Sequence, residues 1–141
     1  MYGVESCVHP DYRGSGVGGR LMDARFALLR RLNLRGMIAG SMIMDYHEVA
    51  HLIAPDQYVH EVIAGTRFDT NLSKQIHKGF RPLNLIPNYE HDPRSLNWGV
   101  AILWENPDYT PEARKTALIL PFPMVMSGNR PPNNGERPAA R

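Results

Sequence analysis

The chain has 141 residues, 43% of them apolar and 21% charged, with a net charge of +2 and a single cysteine. That is one domain's worth of sequence with enough apolar content for a core, too little charge to argue for nucleic acid, and no second cysteine for a disulfide or a cysteine-based zinc site. There is no run of ~18 apolar residues, and the opening MYGVESCVHP has no basic region followed by an apolar stretch, so the reading is a reduced, cytoplasmic protein without a leader.

Residues 3–9 read as a short strand, because Val4, Cys7 and Val8 tolerate β structure and Pro10 stops it. Cys7 reads as a small buried residue of that strand. A glycine-rich turn follows, and from Val17 the apolar period becomes helical. Val17, Leu21, Ala24 and Leu28 share one stripe, with Met22, Leu29 and Leu32 beside it, while Arg20, Asp23, Arg30 and Arg31 stay polar. Asn33 ends that helix, and residues 35–39 form a second, buried strand. Strand, turn, amphipathic helix and strand make a βαβ-like unit, which favours parallel pairing.

Residues 44–53 suggest a short helix cut by Pro55. Pro55-Asp56 opens a better one over residues 57–64, ended by Gly65. Asp69 or Thr70 can cap a third over residues 71–78, ended by Gly79. Residues 80–86 and 98–104 read as strands, and the polar segment 87–97 as the loop between them. Trp98 and Trp104 fall on one strand face and read as core. His60, His77 and His91 stand in polar contexts and read as surface residues. From Pro121 prolines and asparagines dissolve the pattern, so the expected organisation is one domain over residues 1–120 and a disordered tail over residues 121–141.

Residues 13–20 read Arg-Gly-Ser-Gly-Val-Gly-Gly-Arg. Glycines allow positive φ and close approach of a ligand, successive N–H groups can converge on an anion, and the following helix adds the positive end of its dipole. Arg13 and Arg20 add full charges, so a pyrophosphate is the natural guest. The Walker pattern fails for want of a lysine. Gly14, Gly16 and Gly19 match the dinucleotide fingerprint literally, but the acidic residue expected ~20 positions on is missing.

Arg-x-x-Gly-x-Gly from Arg13 to Gly18, preceded by Val8-His9-Pro10-Asp11-Tyr12, resembles the acetyl-coenzyme A motif of the GNAT family of N-acetyltransferases. Lys78-Gly79-Phe80, a helix end running into a strand, resembles the same family. PDQYVHEV, FDTNLSKQIHKGF and WENPDY resemble a subgroup in which the acetyltransferase module is fused to a carbon–nitrogen hydrolase of the nitrilase class. The similarity covers residues 4–110.

The resemblance implies an α/β fold, the C-terminal half of a GNAT-like mixed sheet with flanking helices. It implies acetyl-coenzyme A as acyl donor and a primary amine as acceptor, which attacks the thioester directly. The backbone of Cys7 and Val8 would hold the pantetheine arm. Arg13, Gly14, Ser15, Gly16, Val17, Gly18 and Gly19 would hold the pyrophosphate. The family's usual acid is a tyrosine at the position of Gln75, which cannot donate a catalytic proton; His77 falls on the opposite face of that helix. Tyr46 and Tyr58 are substitutes without positional warrant. Glu5 is a candidate base that reads first as a solvent-facing strand charge. A complete domain of the family has further strands and helices before the strand at residues 4–9, and these normally build the acceptor wall. The first strand would then expose an edge that seeks a partner, such as a second copy. A binding module without turnover is the non-enzyme alternative.

A rival pattern is His47-Glu48-Val49-Ala50-His51, a literal HExxH. On a helix it puts both histidines on one face for zinc, with Glu48 as base in a hydrolase. Pro55 leaves little room for the helix. Glu61 is the nearest third ligand, and the simpler reading is two surface histidines with no metal.

Overall fold

A computed structural model describes residues 1–4 and 6–111. The expected tail at 121–141 lies outside them, as does Glu5. The chain order is β1 (Tyr2–Gly3), α1 (Val17–Arg31), β2 (Gly36–Met42), α2 (Pro55–Ile63), α3 (Leu72–His77), β3 (Arg81–Ile86) and β4 (Gly99–Glu105). The strands form one mixed sheet in the order β1-β2-β4-β3. β1 lies parallel to β2, while β2–β4 and β3–β4 are antiparallel. This is the α/β arrangement that the sequence implies.

α1 is the crossover that a parallel β1–β2 pair requires. β3 is an edge strand, which is why Pro82 is tolerated in it: its missing N–H costs no ladder bond on the outer side. The register between Pro82 and Leu85 slips by one residue, a bulge at the edge.

Strand alternation sorts the sheet into two faces. Met37, Ala39 and Ser41 of β2, with Val100, Ile102 and Trp104 of β4, face the helices. Tyr58, Val59 and Val62 of α2 and Leu72 of α3 complete that core with Phe26 and Leu29 of α1. Phe26 stacks on Trp104 at 4.2 Å between ring centres, and Arg30 lies over the same indole. The opposite face carries Ile38, Gly40, Met42, Gly99, Ala101 and Leu103, and no helix among the described residues covers it. Trp98 packs against the core, so both tryptophans are core, as expected.

Four expectations need correction. The first strand is not residues 3–9 but Tyr2–Gly3. Val4 is 81% exposed, and the chain beyond it is tied to the turn instead of to β2, through the Arg13 Nε–H donated to the Val8 carbonyl at 3.0 Å. Cys7 is therefore exposed rather than buried. The buried stripe of α1 is Met22, Phe26 and Leu29, while Leu21 and Ala24 face outward, because Phe26 is drawn to Trp104. The helix over 44–53 shrinks to a single 3-10 turn, Tyr46–Glu48, since Tyr46 is buried and spends its hydroxyl on the Ile53 carbonyl.

Candidate functional site

The glycine turn is built from both ends. Pro10–Tyr12 forms a 3-10 turn, in which the backbone N–H of Tyr12 bonds His9 and that of Arg13 bonds Pro10. Ser15 Oγ donates to the Tyr12 carbonyl at 2.7 Å. Gly14 and Gly16 then take φ of +77° and +79°, the left-handed region that a side chain disfavours. Gly16 is also the residue from which α1 starts.

Among the described residues, no hydrogen bond uses the backbone N–H groups of residues 14–19. The first turn of any helix leaves its N–H groups without internal partners, and here they follow directly on a glycine turn. α1 is fifteen residues long and contributes the positive end of its dipole. Arg20 has no partner among the described residues. Lys78, at the end of α3, binds Asp23 of α1 at 2.8 and 3.0 Å, and its Nζ lies 3.7 Å from where a Cβ on Gly19 would be. What this arrangement can do is hold an anion against the start of α1.

A second feature lies beside it. The β1–β2 ladder ends at Gly3 and Ala39. Gly40 is the first residue of β2 with no partner on that side, so β2 continues while residues 4–9 turn away. Cys7 and Val8 lie on the diverging segment, and Val8 Cγ2 packs 3.8 Å from the Cβ position of Gly18.

The other predicted residues separate. Tyr46 is buried with its hydroxyl spent. Tyr58 donates its hydroxyl to Asp69 Oδ2 at 2.8 Å. Burial pushes both phenols up in pKa, and the Asp69 bond adds to the effect at Tyr58. Both belong to the scaffold. Gln75 stands on α3 with its Oε1 buried and without a partner among the described residues. His77 on the same helix, His60 on α2 and His91 in the loop before β4 are all exposed. His47 and His51 sit on and after a 3-10 turn, not on one face of an α-helix, and His47 Nδ1 is paired with the Arg94 carbonyl at 3.1 Å. Among the described residues no three His, Cys, Asp or Glu side chains group around a common point, so the HExxH spelling does not build a zinc platform. An open groove lies between α2 and α3, lined by Val62, Arg67, Phe68, Ile76 and His77 among others, and none of its lining belongs to the glycine turn.

Sequence reasoning missed Tyr89. Its ring leaves the loop before β4 and lies on the uncovered face of the sheet. A Cβ on Gly40 would fall 2.1 Å from its Cζ and Oη, and one on Gly99 2.7 Å from its ring. Burial first, then the neighbouring Tyr2 phenol and the nearby charge of Glu90, raise its pKa above the ordinary phenol value. The signal was two glycines inside strands, which mark a close approach.

No helix among the described residues is long and apolar enough to cross a membrane. No family model matches the chain. Two Bacillus subtilis (strain 168) proteins are similar in sequence. The probable hydrolase YhcX is 38% identical over 125 residues, which is 88% of this chain and 24% of that protein. The uncharacterized N-acetyltransferase YkwB is 36% identical over 109 residues, which is 77% of this chain and 48% of that protein. The chain thus spans about a quarter of one relative and about half of the other. A solved structure, the GNAT-like decarboxylase GphF in complex with isobutyryl-CoA, shares the fold with a TM-score of 0.62 at 24% identity, over 70% of this chain and 52% of that one.

Proposed function

The chain belongs among the GNAT-like proteins, and from that premise we infer that it binds acetyl-coenzyme A and serves acetyl transfer to a primary amine. The observation that carries the reading is the run of N–H groups over residues 14–19 that have no partner among the described residues, opened by two left-handed glycines ahead of α1. A pyrophosphate fits such a cradle: it needs several donors, close backbone approach and positive potential. Arg13, Gly14, Ser15, Gly16, Val17, Gly18 and Gly19 would hold it. Cys7 and Val8, on the segment that leaves β2, would give their backbone groups to the pantetheine arm.

Bound there, the acyl thioester lies along the divergence of β1 and β2. The chain's work is to hold the carbonyl in place while a C–N bond forms and the C–S bond breaks. The acyl-coenzyme A bound by GphF and the name given to YkwB support this reading.

The test is Gly16→Val with calorimetry against acetyl-coenzyme A. A β-branched residue forced to positive φ costs about 1–3 kcal/mol and closes the approach, so binding falls at least about tenfold. Undiminished binding would overturn the reading. One observation favours a second reading, a module that binds coenzyme A without turnover: Gln75 stands where the family carries its acid. Thioester turnover with a panel of amines separates the two, since the binding module gives none above background.

A further inference from the structure

We propose that residues 117–126 of this chain pack lengthwise along the outer face of α1, running back from its C-terminal end toward the glycine turn. That face is the apolar stripe the core leaves unused. Val17, Leu21, Ala24, Leu28 and Leu32 recur at the spacing of one helix side, while the core takes Met22, Phe26 and Leu29 from another. Among the described residues Leu21 stays 42% and Leu32 50% exposed, with Ala24 exposed between them. A helix that is apolar on two sides is suited to being packed on two sides.

The path of the chain selects the occupant. After β4 it crosses to the end of α1 instead of turning onto the uncovered face of the sheet. The Asn106 N–H donates to the Arg35 carbonyl at 2.9 Å, and Asp108 pairs with Arg30 of α1 at 3.1 Å. Asn33 Nδ2 donates to the Thr110 carbonyl at 2.6 Å, and the Thr110 N–H returns a bond to Asn33 Oδ1 at 2.9 Å. The described chain therefore stops beside the end of α1 that carries Leu32. The steps from Pro111 to Ala117 span up to about 20 Å, enough to round a helix about 10–12 Å wide.

Length and chemistry then match. Residues 117–126 read Ala-Leu-Ile-Leu-Pro-Phe-Pro-Met-Val-Met, apolar side chains and two prolines without a charge. Pro121 and Pro123 disfavour a helix there and favour an extended run, which at about 3.1 Å per residue spans about 31 Å. α1 has fifteen residues, about 22 Å at 1.5 Å per residue. The segment is thus long enough to lie over Leu32, Leu28, Ala24 and Leu21 in turn. A second copy of α1 fits this face less well. Arg20, Arg25 and Arg31 border the stripe, and two copies face to face would set arginines against arginines. On this reading the tail expected from Pro121 starts only after Met126. The inference does not depend on coenzyme A.

The experiment is paramagnetic relaxation in the full chain, with Cys7→Ser to remove the exposed native thiol and a nitroxide on Ser127→Cys. The label should bleach the amide signals of residues 17–23, which recover when it is reduced, while Ile38 and Leu103 keep full intensity. Leu28→Lys, on the outer side of α1, should restore most of the lost signal. Leu120→Lys, outside the described fold, should do the same. Loss confined to the residues around Asn33, where the segment is tethered, would overturn the proposal, as would no loss at all. Bleaching of Ile38 and Leu103 in place of α1 would put the segment on the other face and overturn it as well. So would loss that both lysine variants leave unchanged. Loss at residues 17–23 of an isotope-labelled chain without nitroxide, mixed with nitroxide-bearing chains, would make the contact one between copies and overturn the assignment within the chain.

Discussion

Asp69 is fully buried, and both its carboxylate oxygens are occupied. Oδ1 accepts the backbone N–H groups of Asn71 and Leu72 at 2.9 and 2.7 Å, which caps α3. Oδ2 accepts the Tyr58 hydroxyl and the Asp45 N–H at 2.8 and 3.1 Å. One side chain thus ties α3, α2 and the segment after β2 together. Asp69→Ala strands four donors at once, the Tyr58 hydroxyl and the Leu72 N–H buried and the other two partly so, and should cost roughly 3–5 kcal/mol, read as a fall in the urea midpoint. Asp69→Asn keeps an oxygen for the cap but turns an NH₂ toward the Asp45 N–H, so it should recover only part of the loss. A midpoint unchanged by the alanine would show that the network carries no stability. The capping half of this role was legible, since an acidic residue before an apolar period is a helix start signal. The Tyr58 half was not, because a tyrosine two elements away carries no local mark of its partner.

Among elements, α1 was legible in extent but not in orientation. Its sequence carries apolar residues on more than one side, so period alone offered two stripes. The choice was made by Trp104, some eighty residues on, through its stack with Phe26. β1 failed for the opposite reason: valines favour a strand only where a neighbour accepts the ladder, and β2 accepts two residues. The irregular segments are held by carboxylates. Burial alone would raise the Asp45 pKa, but the Thr70 hydroxyl and N–H and the Arg94 guanidinium outweigh it and hold the carboxyl below its ordinary value. Asp92 is lowered chiefly by the Ser95 N–H, and Glu61 by Arg67. A carboxyl whose folded pKa is depressed gives stability that is complete above its unfolded pKa and lost as pH falls through the folded one. The urea midpoint should therefore be flat from neutrality to about pH 5 and drop below about pH 4. Asp45→Asn should lower the plateau and flatten the drop. A wild-type midpoint indifferent to acid would show that these bonds are not what holds the loops.

At the scale of the molecule, the governing fact is a mixed sheet whose described helices all lie on one face. The other face shows Ile38 at 42% exposure, and the adjoining edge shows Tyr2 at 59% and Val4 at 81%. A strand edge with apolar neighbours and no blocking lysine is a template for another strand, and the net charge of +2 gives little repulsion between copies. Two copies meeting edge to edge would extend the sheet through β1 and bury these side chains together. The expected result is association that grows with concentration in sedimentation equilibrium. Val4→Lys should shift it toward monomer, because a charge facing the new strand must be desolvated. Val4 lies outside the residues proposed to hold coenzyme A, so the same variant should keep wild-type affinity in calorimetry. Wild-type protein that sediments as a monomer from micromolar to millimolar concentration would rule out the edge as a self-pairing surface. Dimer formation left intact by Val4→Lys would move the contact from the edge to the uncovered face, where Ile38→Lys becomes the deciding variant.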